Sequence, residues 1–399
     1  MPIRDTPLPP MYPGATSYNH RELDAVIKVI KAQSTFRFYG PNFLDYSGMF
    51  EKEYAKYIGT KYALAVSSGT AALHIALKAL GVRKGDEVII PAYAWVSCPA
   101  AVVACGAKPV IAEVDESLTL DPEDVASKVT SKTKVIMAVH MRGAPANLEE
   151  LQKIAKENDI FLLEDCAQAV GGSYRGKKLG SIGNIGIHSF QLNKNITAGE
   201  GGAVTTNDEL LYQKAIMLHD AGAIYRPVYR DVIKIDPIPG FNYRITELQS
   251  AILLEQLKKL DNIINKMKRR KEEIKNLISD IDNIKFRKEN DPEGDTGVCL
   301  VFFLESSIKA QKFVERLKEE NIYTSSGGYP WLIYRPGVVD GHIYLFWQHY
   351  FDEPQDETVA PKSLNLLSRA VHVDISPLLT DKDVEDIANA IHKVAKEIL

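Results

Sequence analysis

Residues 188–204 read HSFQLNKNITAGEGGAV and place one lysine, Lys194, between a serine–phenylalanine pair and a run of glycines. Glycine has no side chain, so other backbone or a ligand can approach this stretch closely. The residues GEGGAVTT after the lysine predict a turn into a strand. A lysine partly removed from water has a lowered pKa, and its neutral amine is then available for Schiff-base chemistry. An ordinary surface lysine is the alternative.

Short apolar runs alternate with helical patterns from about residue 60 to residue 205. The runs are YALAV, EVIIPA, KPVIAEV, KVIMAV, IFLLED and GGAVTT. They are nearly continuous in apolar residues, as expected of strands that are covered on both faces. Their alternation with helices implies βα units. We therefore predict an α/β fold whose large domain has a mostly parallel sheet covered by helices.

The pattern changes at Thr246 to a long helical stretch, TELQSAILLEQLKKLDNIINKMKRRKEEIKNLI, with one apolar stripe. Such a stripe predicts a single helix that lies along the body of the protein. Strand patterns and a closing amphipathic helix follow, which predicts a smaller C-terminal α+β domain. We assign residues 1–262 to the large domain and 263–399 to the small one, with the N-terminal segment, to about residue 35, able to pack on the small domain.

Composition excludes several classes of protein. Apolar residues make up 45% and charged residues 25% of the chain, which is typical of a globular protein. The formal net charge of −4 gives no reason to expect nucleic acid or an anionic membrane as a partner. No signal-peptide core or stretch of membrane-span length occurs, so we expect a cytoplasmic protein. The four cysteines have neither CxxC pairing nor zinc spacing, which predicts reduced core thiols and no metal site.

Polar residues at strand ends are the candidates for a site, because ligands of open α/β sheets bind at the carboxyl ends of the strands. After YALAV, the residues Ser68, Gly69 and Thr70 lead directly into a predicted helix. Backbone N–H groups at a helix N-terminus form a natural anion site. A plain N-cap without a ligand is the alternative.

Two further residues follow other strands. Asp165 ends a buried strand, where an ionised carboxylate is costly unless it pairs with a positive or proton-donating group. A salt bridge or a helix cap would also satisfy it. Trp95 in PAYAWVS either stacks on a ligand ring or belongs to the core. With Lys194, an anion site and such an acid are the parts needed to hold pyridoxal 5'-phosphate and use it as an electron sink.

Four motifs carry a resemblance to a known family: SSGTAAL, EDCAQA, HSFQLNKNITAGEGGAVTTND and GFNYRITELQSAILLEQLKKLD. They resemble the DegT/StrS family of PLP-dependent sugar aminotransferases, which has the aspartate-aminotransferase fold (fold type I). The resemblance extends from about residue 40 to residue 262 and continues more weakly to the C-terminus. It implies a transaminase that takes an amino group from glutamate or glutamine.

The resemblance also implies roles for single residues. Lys194 would bond covalently to the cofactor and then move the proton, and Asp165 would pair with the ring nitrogen. Asn242 would reach the phosphate of the neighbouring subunit, which implies a homodimer with shared sites. Together, the residues and the resemblance predict cofactor contacts at Ser68, Gly69, Thr70, Trp95, Asp165, Gln168, Ser189, Lys194 and Asn242.

The acceptor class stays open. The sequence has Met141 and Arg142 where members acting on nucleotide sugars commonly have Leu-Tyr. AYAWVS resembles the aminocyclitol branch, whereas HMRG and DPEGDTG resemble the branch that aminates an eight-carbon acid sugar. The resemblance thus implies a nucleotide-linked keto sugar, a keto-cyclitol or an acid sugar as acceptor. A sugar dehydratase of the same fold is an alternative, although those relatives have histidine in place of the lysine; a non-catalytic member is another.

Substrate recognition is predicted in two segments. Between His219 and Asn242 the chain is irregular and contains Arg226 and Arg230, and arginine is suited to binding carboxylate or phosphate. A solvated surface loop is the alternative. The aromatic segment around Tyr329 and Trp331 is the second place for such contacts.

Overall fold

The computed structural model describes residues 1–322 and 359–399, so the predicted substrate residues Tyr329 and Trp331 lie outside the described residues. Nine strands form two sheets in the first part of the chain. In chain order they are β1 Tyr62–Val66, β2 Glu87–Pro91, β3 Lys108–Ala112, β4 Thr133–Val139, β5 Phe161–Asp165, β6 Ser173–Tyr174, β7 Lys177–Lys178, β8 Ile185–Ser189 and β9 Gly202–Thr206. All but β6 and β7, which pair with each other, form one seven-stranded sheet.

The order in the large sheet is β1-β9-β8-β5-β4-β2-β3. Strand β9 is antiparallel to both of its neighbours, and the other pairs are parallel. The predicted mostly parallel sheet is therefore confirmed. The strand β8 was not among the predicted runs, because its sequence IGIHS breaks the apolar pattern with a glycine and a histidine.

Twelve helices complete the described residues. They are α1 His20–Lys31, α2 Tyr46–Ile58, α3 Gly69–Ala79, α4 Ser97–Ala104, α5 Pro122–Lys128, α6 Leu148–Glu157, α7 Glu209–His219, α8 Glu247–Leu257, α9 Leu260–Leu277, α10 Ser307–Glu319, α11 Pro361–Arg369 and α12 Asp381–Ile398. Along β4, Val135 and Met137 lie in one core cluster, and Ile136 and Ala138 lie in another. Helices thus bury both faces of the sheet, as its continuous apolar strands predict.

The prediction of one long helix after Thr246 is wrong. The stretch forms α8 and α9, separated at Lys258 and Lys259. Lys259 turns its ammonium group to the carbonyl oxygen of Ser17 at 2.8 Å and to Glu22. This contact with the N-terminal segment accompanies the break, so α8 packs on α1 and α2 while α9 continues to the second sheet.

A separate three-stranded antiparallel sheet, called the second sheet below, contains β10 Lys285–Phe286, β11 Cys299–Phe303 and β12 Ala370–Asp374. Helices α9, α10 and α12 pack around it. The N-terminal segment lies here as well, since the backbone N–H of Ile3 donates to Glu320 at 2.8 Å and Arg4 pairs with Asp386 at 2.8 Å. The domain boundaries stay a prediction.

All four cysteines are free and buried, which confirms the prediction of core thiols. None of the helices in the two described ranges is long and apolar enough to cross a membrane.

One buried carboxylate ties two helices of the large unit together. The side chain of Glu247 is fully buried at the start of α8. Its two oxygens accept the backbone N–H groups of Tyr46 at 2.7 Å and of Ser47 at 2.9 Å, which begin α2. The hydroxyl of Ser47 also lies 3.0 Å from that of Ser250. The N-terminal donors of α2 are therefore satisfied by a different helix.

We expect Glu247→Ala to lower the free energy of unfolding by about 1–3 kcal/mol, because it leaves buried N–H donors without an acceptor. Urea unfolding measures the change. Glu53→Ala, on the exposed side of α2, is the matched control and should shift the value by less than about 0.5 kcal/mol. Equal effects of the two substitutions would contradict this role.

Candidate active site

Lys194 lies in the loop of residues 190–201, which turns the chain from β8 back into the antiparallel β9. The backbone of this loop is held on both sides. The N–H of Lys194 donates to the carbonyl of Gln191 at 2.9 Å, and its own carbonyl accepts from the N–H of Gly14 at 3.1 Å. The amide of Asn195 donates to the carbonyl of Val170 at 2.9 Å. The lysine therefore extends from a fixed position.

Asp165 ends β5 and is only 4% exposed. One carboxylate oxygen accepts the backbone N–H of Ala167 at 2.9 Å, and the other accepts the thiol of Cys98 at 3.2 Å. Within residues 1–322 and 359–399 it forms no ion pair within 4.0 Å, so the alternative of a salt bridge is not what the described residues show. The carboxylate is buried, oriented by two donors, and lacks a cation in direct contact.

The charges of Lys194 and Asp165 act on each other. Burial lowers the pKa of Lys194, and the negative charge of Asp165 opposes that shift. Burial raises the pKa of Asp165, and Lys194 is one of the groups that counteract the rise. An ordinary surface lysine would not have a lowered pKa, so this shift favours a functional role for Lys194, and that role stays a prediction.

A buried histidine supports the end of β5. The backbone N–H of His140 donates to the carbonyl of Asp165 at 3.0 Å. Its Nδ1 accepts the N–H of Ala146 at 3.0 Å, so its Nε2 carries the proton and donates to Glu164 at 3.3 Å. This contact joins the loop after β4 to the residue directly before Asp165.

Glu164 is fully buried, and backbone N–H groups donate to both of its carboxylate oxygens. Its oxygens accept backbone N–H groups of Gly180 at 2.9 Å, Ile182 at 2.7 Å and Gly183 at 2.6 Å. Burial would raise its pKa, but His140 and these N–H groups lower it below the usual value. His140, Glu164 and Cys166 also bring potential metal-ligand atoms within 4.8 Å of one another. Their positions in the sequence gave no zinc-like spacing, since two strands bring them together.

The start of α3 packs closely against the end of β8 and the start of β9, which lie on either side of the Lys194 loop. Ser68 caps the helix, as its hydroxyl accepts the N–H of Ala71 at 3.1 Å. A Cβ on Gly69 would lie 2.8 Å from the Cβ of Ser189, and a Cβ on Gly202 would lie 2.4 Å from the carbonyl oxygen of Ser68. Only glycine fits at these two positions. The N-cap interpretation is right for Ser68, and the helix terminus also lies beside the end of β8.

Three other predicted residues surround this region. The hydroxyl of Thr70 lies 2.8 Å from that of Ser97. Trp95 is 54% exposed, so its assignment to the core is wrong and its ring is accessible. The side-chain oxygen of Gln168 accepts the backbone N–H of Arg142 at 3.2 Å, which orients the amide group three residues after Asp165.

Asn242 is exposed and forms an isolated antiparallel bridge with Asp220. Its side-chain oxygen accepts the N–H of Arg244 at 3.4 Å. The neighbouring carbonyl of Tyr243 accepts the N–H of Ser67 at 2.7 Å, so this segment lies beside the end of β1. The contact with a second subunit stays a prediction.

The segment between α7 and α8 is irregular, as predicted, apart from one short turn at Pro227–Tyr229. Arg226 is not free, since it pairs with the buried carboxylate of Asp220 at 2.6 Å and lies over the ring of Phe38. Arg230 is exposed. The sequence shows the arginine, but not that a carboxylate of the same chain already neutralises it. Substrate binding by either arginine stays a prediction.

The DegT/DnrJ/EryC1/StrS aminotransferase family model matches residues 17–392. The chain belongs to this family. GDP-perosamine synthase of Vibrio cholerae is 35% identical over 87% of this chain and 90% of the relative. L-glutamine:2-deoxy-scyllo-inosose aminotransferase of Streptomyces kanamyceticus is 32% identical over 98% and 95%. The crystal structure of 3-amino-5-hydroxybenzoic acid synthase has a TM-score of 0.83, with 29% identity over 98% of this chain and all of that one.

These comparisons confirm the family and the fold inferred from the four motifs. They also confirm that the chain is a transaminase.

We expect Asp165→Asn to lower the pKa of Lys194 further. The carboxylate stabilises the protonated ammonium, so its removal leaves burial unopposed. Acetic anhydride labelling of Lys194 in the cofactor-free protein across pH, measured by mass spectrometry, should show half-maximal reactivity at a lower pH. The exposed Asp159→Asn is the matched control. An unchanged or raised midpoint in Asp165→Asn would contradict the charge contact.

Proposed function

We propose that the protein is a pyridoxal 5'-phosphate-dependent aminotransferase that moves an amino group from glutamate or glutamine to a keto sugar. The observation that carries the proposal is the buried carboxylate of Asp165, which Ala167 and Cys98 hold in place and whose charge acts on Lys194. A buried carboxylate such as Asp165, which has no ion pair within 4.0 Å among the described residues, has few structural roles. The same is true of a lysine whose pKa burial lowers, such as Lys194. Perturbed groups of this kind are characteristic of active sites.

The residues fit the three ends of the cofactor. The N-terminus of α3, with Gly69, Thr70 and Ser189, suits a phosphate, because the absence of a Cβ at Gly69 leaves backbone N–H groups accessible. Asp165 suits a protonated ring nitrogen, since such a partner would compensate its buried charge. Lys194 suits the aldehyde carbon.

Gln168 would bond the ring hydroxyl, Trp95 would stack on the ring, and Ser68 would hold the helix start in shape. The fixed amide of Gln168 and the exposed ring of Trp95 support these assignments.

When bound, pyridoxal phosphate supplies an electron sink for a carbanion at the substrate carbon. The chain's own contribution is to orient and to move protons. A neutral Nζ of Lys194 is available for covalent bonding and for carrying a proton to and from the substrate carbon. The two donors on Asp165 keep its carboxylate in one orientation, and an ionised carboxylate favours a positive charge beside it.

The names of the relatives support a cyclic keto compound as acceptor. One relative is named for perosamine and one for an L-glutamine-dependent amination of 2-deoxy-scyllo-inosose. The first name includes GDP, which supports a nucleotide-linked acceptor, and the second names a scyllo-inosose as the acceptor of the amino group. A nucleotide-linked sugar, a keto-cyclitol and an acid sugar therefore remain the acceptor classes that we propose.

We also propose a homodimer with shared sites. Several large apolar side chains are exposed before α2 and between α7 and α8, and apolar surface of this kind marks interaction sites when it is contiguous. They are Tyr39, Phe43, Ile224, Tyr225, Val228 and Phe241. A partner subunit that covers these side chains would bring its own Asn242 to the interface.

The purified protein should be yellow, and borohydride reduction should fix a pyridoxyl group on Lys194, because burial lowers the pKa of this lysine and the charge of Asp165 acts on it. Peptide mass mapping locates the group. Lys177→Arg, an exposed lysine, is the control and should keep the adduct, whereas Lys194→Arg should lose it. An adduct on a different lysine would contradict the proposal.

Mixed dimers test the shared sites. A Lys194→Ala chain combined with an Asn242→Ala chain should form hybrids with one intact site, because each site would take its lysine from one chain and its asparagine from the other. We expect activity well above that of either parent after refolding or co-expression. Hybrids that are demonstrated by mass and yet no more active than the parents would rule out sharing.

A further inference from the structure

Arg142 differs from the residue that nucleotide-sugar members commonly have, and it occupies an unusual position. It follows β4 with a left-handed backbone conformation, φ 56°. Its N–H donates to Gln168, and its Nη2 donates to Asp374 of β12 and to the thiol of Cys299 at 3.2 Å. The side chain therefore extends from the edge of the candidate site to the second sheet.

The guanidinium group has donors that the described residues do not use. Arginine has five N–H donors, and the contacts with Asp374 and Cys299 use only Nη2. The Nε of Arg142 is buried without a hydrogen-bond partner. An unsatisfied buried donor is costly, and native proteins retain few of them. The described residues therefore do not saturate this guanidinium.

The positive charge of Arg142 reaches the reacting lysine. It is one of the groups that lower the pKa of Lys194, after burial. Its backbone is bonded to Gln168, three residues after Asp165. The backbone of Arg142 is thus fixed beside the segment that follows Asp165, and its charge acts on Lys194.

Arg226 is a poorer candidate for binding an anion. Its Nε and Nη2 both donate to Asp220, and its guanidinium lies over the rings of Phe36, Phe38 and Tyr225. Arg142 uses only Nη2 on Asp374, which comes from the second sheet. A guanidinium that one carboxylate positions, with further donors free, suits a second carboxylate.

We propose that Arg142 binds a substrate carboxylate, either the α-carboxylate of the amino donor or the carboxylate of an acidic acceptor. The inference rests on the proposed function, because every amino-acid donor brings a carboxylate to the site where Lys194 reacts. Asp374 positions the guanidinium, and Nη1, which forms no hydrogen bond to a described residue, is available to the ligand. Arginine is suited to this task by its planar, permanently charged group.

The donor half-reaction tests the proposal in the holoenzyme. The change of cofactor absorbance is followed with L-glutamate and with L-glutamine. Arg142→Met should raise the half-saturating concentration of both roughly ten- to a hundredfold, with little change in the limiting rate. Arg142→Lys should recover part of the loss. Arg175→Met is the matched control, because Arg175 is exposed and also has a left-handed backbone, φ 49°.

A second measurement separates the two sources of carboxylate. D-gluconate, an unreactive acid sugar, is compared with neutral D-glucitol as an inhibitor of the pyridoxamine-loaded enzyme. Loss of D-gluconate inhibition in Arg142→Met, with unchanged donor kinetics, assigns the arginine to an acidic acceptor. Unchanged values with both donors and with D-gluconate overturn the proposal.

Asp374→Asn separates binding from a purely structural bridge. If Arg142 only joined the two sheets, Asp374→Asn would impair the donor reaction as much as Arg142→Met does. If Arg142 binds a carboxylate, Asp374→Asn keeps an oxygen that can accept from Nη2 and removes the competing negative charge, so the donor reaction is impaired much less than in Arg142→Met.

Failure of the proposed function has its own signature. A wild-type enzyme whose cofactor spectrum changes with neither donor would contradict transamination. Calorimetry with glutarate still tests the inference in that case, since binding should be present in wild type and in Arg175→Met and lost in Arg142→Met. Equal glutarate affinities in all three proteins overturn it.

Discussion

The candidate site depends on the opposite charges of Lys194 and Asp165, which lie in a region that is largely withdrawn from water. Burial lowers the pKa of Lys194 and raises the pKa of Asp165, and each charge opposes the effect of burial on the other. The residues around Asp165 hold this balance by geometry. Cys98 and Ala167 each donate to one carboxylate oxygen, and His140 donates to the backbone carbonyl. A group that carries a positive charge to the carboxylate would complete the arrangement.

The sheet brings these charges to a helix terminus by a tight return of the chain. Strand β9 passes against the backbone of Ser68, at a distance that no side chain on Gly202 would permit. The same approach brings Gly69 against Ser189. The Gly202 contact is with backbone and the Gly69 contact is with the Cβ of Ser189. Both depend on the absence of a Cβ on the glycine, so a larger residue at either position would push the start of α3 away from the ends of β8 and β9.

Much of the fold and part of the site could be predicted from the sequence, for a physical reason. Strand ends are marked by a change from apolar to polar residues, which made Ser68 and Asp165 visible as candidates, and Lys194 stood out by the glycines that follow it. Contacts between distant segments leave no such mark. The bond from His140 to Glu164, the neutralisation of Arg226 by Asp220 and the unused donor of Arg142 all required the folded chain. The helix break at Lys259 was hidden as well, since the apolar stripe continues through it.

The first residues of the chain connect the second sheet to the lysine loop. Ile3 is bonded to Glu320 after α10, and Gly14 donates to the carbonyl of Lys194 itself. The segment between them is thus a tether with one end on each structural unit. For anyone producing this protein, a purification tag at the C-terminus would leave the tether undisturbed. Removal of the first fourteen residues would delete the hydrogen bond from Gly14 to the carbonyl of Lys194.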